Sequence, residues 1–237
     1  MVDSARSRAK TVRVLPIEPT NPRSDRVAEA VQILAAGGVV ALPTETFYGL
    51  AVDAFHRAAL CKINVLKGKP ARSPILLLLA DPGQVESVAA RLPVRFAELA
   101  GAFWPGPLTL VIPASRDVPD EVTGGTGTVA VRVPGLALPR HIARELGRPI
   151  TGPSANRTAD APCRTAADVA RAFGDGIDAI LDGGSTNAGA PSTIVDLCGA
   201  RPRVVREGLL AAATLAPFLA APGGTGRSPG RDPATPL

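Results

Sequence analysis

Histidine and cysteine are scarce in this 237-residue chain, which has two histidines, His56 and His141, and three cysteines, Cys61, Cys163 and Cys198. The cysteine number is odd and no CxxC spacing occurs, so neither a disulfide framework nor a zinc site is expected. The thiols read as ordinary buried or half-buried groups, and the histidines are too few and too far apart for a metal cluster. Long hydrophobic runs are also missing: the longest nearly apolar stretch, Ile75 to Ala80, has six residues, against the ~20 that a membrane helix needs. Met1 to Lys10 is polar and basic with no apolar stretch behind it, so no signal peptide is visible and a cytoplasmic location is expected. No GxxxxGK[ST] loop occurs, which excludes a Walker-type phosphate site. Lysine is rare as well, with four lysines against 22 arginines.

What remains is a globular composition. With 46% apolar residues the chain can bury a full core as one large α/β domain or as one domain with a small appendage. Of the formal charge of +5, two units belong to residues 1–20 and one to residues 221–237, leaving a body of +2. That argues against wholesale wrapping of nucleic acid, while a local basic cleft for a nucleotide or an RNA stem stays open. Residues 1–10 lack periodicity and residues 221–237 form a Gly/Pro tail; both are expected to be disordered, with one folded domain over 11–220.

Along that body Val27, Ala30, Val31 and Leu34 recur at helical spacing, and Gly37-Gly38 ends the helix before an apolar strand over Val39–Leu42. Further strands are expected at Ile75–Leu79, Leu108–Ile112, Val129–Val133, Pro149–Thr151, Ala179–Leu181, Thr193–Leu197 and Arg203–Val205. Helices are expected at Val85–Leu92, Val94–Phe103, Leu138–Leu146 and Ala166–Phe173, with a further helix ending at Lys67. Strands outnumber helices after Leu108, so the fold class is α/β with a mixed, twisted sheet rather than a purely parallel one.

Three of the four lysines, Lys62, Lys67 and Lys69, fall within eight residues. In an arginine-rich chain that clustering suggests compact point charges for a phosphate or carboxylate; it also fits a helix end whose cations offset the dipole. Directly after the strand at Val39–Leu42, the segment Pro43–Leu50 carries two threonine hydroxyls, the carboxylate of Glu45 and the only tyrosine. A sharp exit from a buried strand is where open α/β sheets bind ligands, and it is equally a place for a turn held by its own side chains. A second polar turn, Thr151–Asn156, can present backbone N–H groups to a phosphate or be a plain turn. Trp104-Pro105-Gly106-Pro107 reads as a rigid turn with the tryptophan closing the core. Asp182-Gly183-Gly184 and Gly124–Gly127 read as positive-φ turns.

Taken in order, PTETFYGL, KGKP, FWPGPLTLV, TVAVRVP, TGPSAN, DGG, PSTIVD and VREG resemble the YrdC/Sua5 family of threonylcarbamoyl-AMP synthases, over roughly Arg26 to Leu210. The resemblance implies a twisted α/β sheet around a large, open, basic cavity. It implies a reaction in which L-threonine, bicarbonate and ATP, with Mg²⁺, give L-threonylcarbamoyladenylate and pyrophosphate. A partner tRNA-modifying transferase complex then places the group on adenosine 37 of tRNA. No enzyme nucleophile is required, since catalysis would come from positioning two anions.

By motif, the resemblance implies that Thr46, Arg132, Ser154 and Ser192 contact threonine, with Arg132 pairing its carboxylate. It places Lys67, Lys69, Thr128, Ser154, Asn156 and Arg206 on the nucleotide, with Lys67, Lys69 and Arg132 as the catalytic charges. No metal ligand is expected from the protein. The chain departs from the family's usual KGRP, N-P-L and following histidine at Lys69, Ser73 and Leu78. An alternative is a non-catalytic relative that holds double-stranded RNA or tRNA in the same basic concavity.

Overall fold

In a computed structural model the described residues are 12–22, 25–68, 70, 73–187 and 189–219. Lys69, Arg72 and the ends expected to be disordered, 1–10 and 221–237, lie outside them. The elements run β1 (Arg13–Pro16), α1 (Asp25–Ala35), β2 (Val40–Pro43), β3 (Tyr48–Ala51), α2 (Arg57–Lys67), β4 (Leu76–Leu78), α3 (Phe96–Phe103), β5 (Leu108–Pro113) and α4 (Asp120–Thr123). They continue with β6 (Thr128–Arg132), α5 (Ala137–Leu146), β7 (Ile150–Thr151), α6 (Ala166–Phe173), β8 (Ala179–Asp182), β9 (Thr193–Asp196), β10 (Arg203–Arg206) and α7 (Ala212–Leu219).

The strands form two mixed sheets, one in the order β1-β8-β2-β3 and one in the order β10-β9-β5-β6-β4-β7. β2 and β3 are buried at every position, which explains why they read as continuous apolar segments rather than alternating ones. The larger core joins β2, β3, β5 and β6 to α2, α3 and α6, with Trp104 in it; a smaller core packs Leu34 of α1 and Leu138 and Ile142 of α5 against Leu42, Leu78 and Ile150. Trp104 closes its side of the larger core as expected, donating from Nε1 to Leu108 O at 2.7 Å and meeting Phe96 edge-on.

The helix expected over Val85–Leu92 is instead a 3₁₀ turn over Pro82–Ser87, capped by Asp81. Val85 and Val88 are both buried, and their spacing of three suits the 3₁₀ repeat as well as the α one. Ala89 then pairs with Ala114, and Ala90 N donates to Pro113 O, so the β5 edge captures the chain before a second turn can form. Sequence patterning also missed β1, in which only Leu15 is buried, and β3, hidden inside the polar-looking Pro43–Leu50 segment.

β3 ties the two sheets together. Gly49 and Asp53 bridge to Ser154 and Ile150, Thr151 N donates to Val52 O, and Ala155 N donates to Tyr48 O at 2.7 Å. Thr151, fully buried, also donates its hydroxyl to Leu50 O at 2.9 Å and accepts from Val52 N at 3.0 Å. This seam brings the turn before β3 and the turn after β7 to the same end of the molecule. We expect Thr151→Val, which keeps the shape but orphans the Val52 N–H, to cost about 1–3 kcal/mol in urea unfolding, with Thr151→Ser near wild type. Equal stability of the valine variant would show that the seam does not depend on this hydroxyl.

Candidate active site

β6 alternates in the way a half-exposed strand must. Val129 and Val131 enter the larger core, while Thr128, Ala130 and Arg132 share the other face. Thr128 and Arg132 stand four residues apart on it, about 13 Å at strand rise. Arg132 is only 2% exposed. Its Nη1 faces Thr46 Oγ1 at 3.4 Å, and its Nη2 lies 2.7 Å from Glu45 Oε2. The alignment of that close pair is too poor for a directed hydrogen bond, so Arg132 Nε and Nη2 and both Glu45 oxygens are buried without one. Burial pulls the guanidinium pKa down and the Glu45 charge opposes this.

Of the four candidate groups in Pro43–Leu50, two serve the fold. Thr44 Oγ1 donates to Phe47 O and accepts from Thr46 N and Phe47 N, closing the turn. Tyr48 is fully buried and donates to Gly184 O at 2.8 Å; burial, with the nearby Asp182 charge, raises its pKa far above the ordinary phenol value. Only Glu45 and Thr46 face Arg132.

Arg206 reaches the same region from the edge of the sheet. Register shifts between Val204 and Arg206, so the extra residue Val205 bulges and re-aims the arginine. Arg206 Nη2 then donates to Ser192 O at 2.8 Å, and Ser192 Oγ shares a hydrogen bond of 2.9 Å with Thr109 of β5. Gly208 makes this docking possible, since a Cβ there would lie 2.2 Å from Pro191 O. Burial, and then the charge of Arg132, lower the pKa of Arg206. Among the described residues Arg206 forms no ion pair. Two guanidiniums that feel each other's charge, with one carboxylate paired to Arg132, make a region that attracts an anion.

Lys67 ends α2, whose Gly68 cap adopts φ 61°. Its side chain is buried, and the ammonium donates to Ser154 O, to Asn156 O at 2.8 Å and to Asn156 Oδ1 at 3.3 Å. Ser154 Oγ donates to Asn156 Oδ1 at 2.6 Å. Lys67 therefore shapes the 154–156 turn from within, a task that spacing alone does not announce. Gly152 permits the approach of the chain to β4, because a Cβ there would fall 2.4 Å from Leu78. Leu78, one of the departures from the family pattern, is fully buried and in register with Arg132.

The structure thus joins Thr46 to Arg132 and Ser192 to Arg206 by direct contact, with the Arg132 charge felt at Arg206, and Lys67, Ser154 and Asn156 by another set. Thr128 sits on the Arg132 face with its hydroxyl on Thr126 at 2.9 Å. Glu45 was visible in the sequence only as one polar group of the Pro43–Leu50 segment and was given no role of its own; its position between two threonines before β3 is the signal that could have singled it out. His56 caps α2 and Cys61 is exposed rather than buried. A surface depression of about 290 Å³ lined by Arg91, Arg95, Cys198 and Arg201 lies elsewhere. Burial, followed by the Asp196 charge, pushes its thiol up to about 11, so it is not a ready nucleophile. No group of three or more metal-ligating side chains occurs among the described residues, and no helix among them is long and apolar enough to cross a membrane.

The two mixed sheets with their helices have the YrdC fold, that of solved Sua5. A family model, Sua5_yciO_yrdC, described as telomere recombination, matches residues 32–208, and the chain belongs to that family. It is 40% identical over 183 residues to the threonylcarbamoyl-AMP synthase of Pyrococcus abyssi, covering 77% of this chain and 54% of that protein. It is 39% identical over 178 residues to the synthase of Halorhodospira halophila, covering 75% of this chain and 93% of that one. The solved structure of P. abyssi Sua5 complexed with L-threonine superposes with a TM-score of 0.83 at 36% identity, over 87% of this chain and 60% of that one. The chain therefore spans little more than half the length of the Pyrococcus relative.

Replacing Lys67 by Met should leave the three turn oxygens without their cation. We expect a loss of about 1.5–3 kcal/mol in denaturant unfolding, the range for hydrogen bonds to a charged group. An unchanged midpoint would mean that the turn holds itself without the ammonium.

Proposed function

We propose that this chain is an L-threonylcarbamoyladenylate synthase, a nucleotidyltransferase that supplies tRNA modification. The observation that carries the reading is the buried Arg132 guanidinium, facing Thr46 with Nε and Nη2 free of directed hydrogen bonds, in a chain whose relatives bear that name. A planar fork of this kind suits a carboxylate. The relative complexed with L-threonine supports an amino acid there.

In this reading Arg132 pairs the threonine carboxylate, and Thr46, Ser192 and Ser154 supply hydroxyls beside it. The threonine ammonium and bicarbonate condense to a carbamate with loss of water and a proton. A carbamate oxygen attacks the α-phosphorus of ATP and pyrophosphate leaves, with Mg²⁺ carried by the triphosphate as part of that substrate. Arg206, Thr128 and Asn156 would contact the nucleotide, Lys69 is assigned to it by its motif alone, and Lys67 acts by holding the Ser154–Asn156 turn in shape. The rate gain would come from orientation and from fixed positive charge around the developing phosphate charge. A transferase complex acting on tRNA consumes the adenylate, as the family resemblance implies.

Incubating the protein with ATP, Mg²⁺, bicarbonate and labelled threonine should yield pyrophosphate and the labelled adenylate. Retention of tRNA without any adenylate would support the RNA-binding alternative instead. Arg132→Lys keeps the charge but loses the fork, and should raise the KM for threonine about tenfold or more, equivalent to roughly 1.5 kcal/mol, with little change for ATP. A shift confined to the ATP dependence would place Arg132 on the nucleotide.

A further inference from the structure

We propose that Glu45 is a resident carboxylate that covers the Arg132 guanidinium while the site is empty and is displaced by the carboxylate of the substrate. The inference rests on the amino-acid reading of the site given above.

Three observations carry it. Glu45 holds its charged end inward: both carboxylate oxygens are buried although the side chain as a whole is 22% exposed. Long charged side chains ordinarily do the reverse, burying the stem and hydrating the head. The pair is also close without being well made, at 2.7 Å yet without a directed hydrogen bond to either carboxylate oxygen. Arg132 Nε and Nη2, the two atoms of a side-on carboxylate fork, therefore remain open in hydrogen-bonding terms while closed to solvent. Finally, the partners differ in freedom. Arg132 ends a strand inside the six-stranded sheet with a side chain 3% exposed, whereas Glu45 stands in the turn between β2 and β3.

A buried guanidinium without an anion carries a large desolvation cost. Glu45 meets that need in the empty protein, and a carboxylate able to engage Nε and Nη2 together can replace it, freeing Glu45 to rotate toward water. The exchange also selects. An amine whose carboxylate is amidated or reduced brings no charge to take over from Glu45, so the site rejects it more strongly than the lost contact alone would predict. If Glu45 covers Arg132 nine-tenths of the time, the apparent affinity for threonine is reduced about tenfold.

The test is calorimetric titration and thermal unfolding of the full chain, with L-threonine and with acetate as a bare carboxylate, on wild type, Glu45→Gln and Glu45→Asp. Glu45→Gln should melt below wild type without ligand, bind L-threonine about tenfold more tightly, bind acetate detectably and show the larger ligand-induced rise in Tm. Glu45→Asp, whose shorter arm draws the charge away, should bind threonine more tightly by a smaller factor, and it carries the test if the glutamine variant does not fold. Equal or weaker threonine binding by the variants than by wild type overturns the proposal and assigns Glu45 to the substrate ammonium or to structure. If no protein binds L-threonine while acetate still favours Glu45→Gln, the exchange stands and the threonine reading of the site falls.

Discussion

A guanidinium held almost wholly out of water is the constraint around which the ligand end of this fold is arranged. Arg132 reaches its place because β6 alternates, sending Val129 and Val131 into the core and leaving Arg132 on the other face. There its charge cannot be hydrated, and the neighbourhood has to answer it. Glu45 approaches from one turn, Thr46 offers a hydroxyl, and Arg206 is held off by its own bonds to Ser192. The net positive balance that remains suits an anion, and its charge has already been desolvated by the fold.

The seam between the sheets determines how the other elements arrive. β3 is shared between its pairing with β2 and its hydrogen bonds to residues 150–155, and Thr151 serves both directions with one hydroxyl. The turn before β3 and the turn after β7 are therefore placed by the same strand. Lys67 then reaches across from the end of α2 to fix the second turn through three oxygens. Buried networks of this kind hold a loop to one geometry because every broken bond leaves a desolvated group behind. The bulge at Val205 does comparable work at the sheet edge, turning Arg206 toward the site without a helix or loop of its own.

Several elements were plain in the chain itself. Helix α6 was legible to the residue from its apolar spacing, and in the fold Thr165 and Asp168 cap it reciprocally. The strands β2, β5, β6, β8 and β9 followed from short apolar runs between turn residues, and the order of PTET, TVAVRVP, TGPSAN, PSTIVD and VREG was sufficient to point to the family. Such features depend on neighbours in sequence, and local chemistry specifies them. Assignment of Val85–Leu92 to a helix failed because a spacing of three fits both a 3₁₀ turn and an α-helix, and it was the pairing of Ala89 with Ala114 that decided between them.

What tertiary structure alone decided is the direction in which each polar group points. In the sequence Thr44, Glu45, Thr46 and Tyr48 are equivalent candidates; in the fold Thr44 and Tyr48 satisfy backbone groups while Glu45 and Thr46 meet Arg132, 86 residues away from Thr46. Lys67 is likewise a cation whose partners lie 87 and 89 residues off. Contacts of that range are set by sheet order and register, to which the spacing of residues along one strand gives no access. The types of chemistry present were thus determined by the sequence. Which buried groups were left without a directed partner, as Arg132 Nε was, was determined by how the two sheets meet.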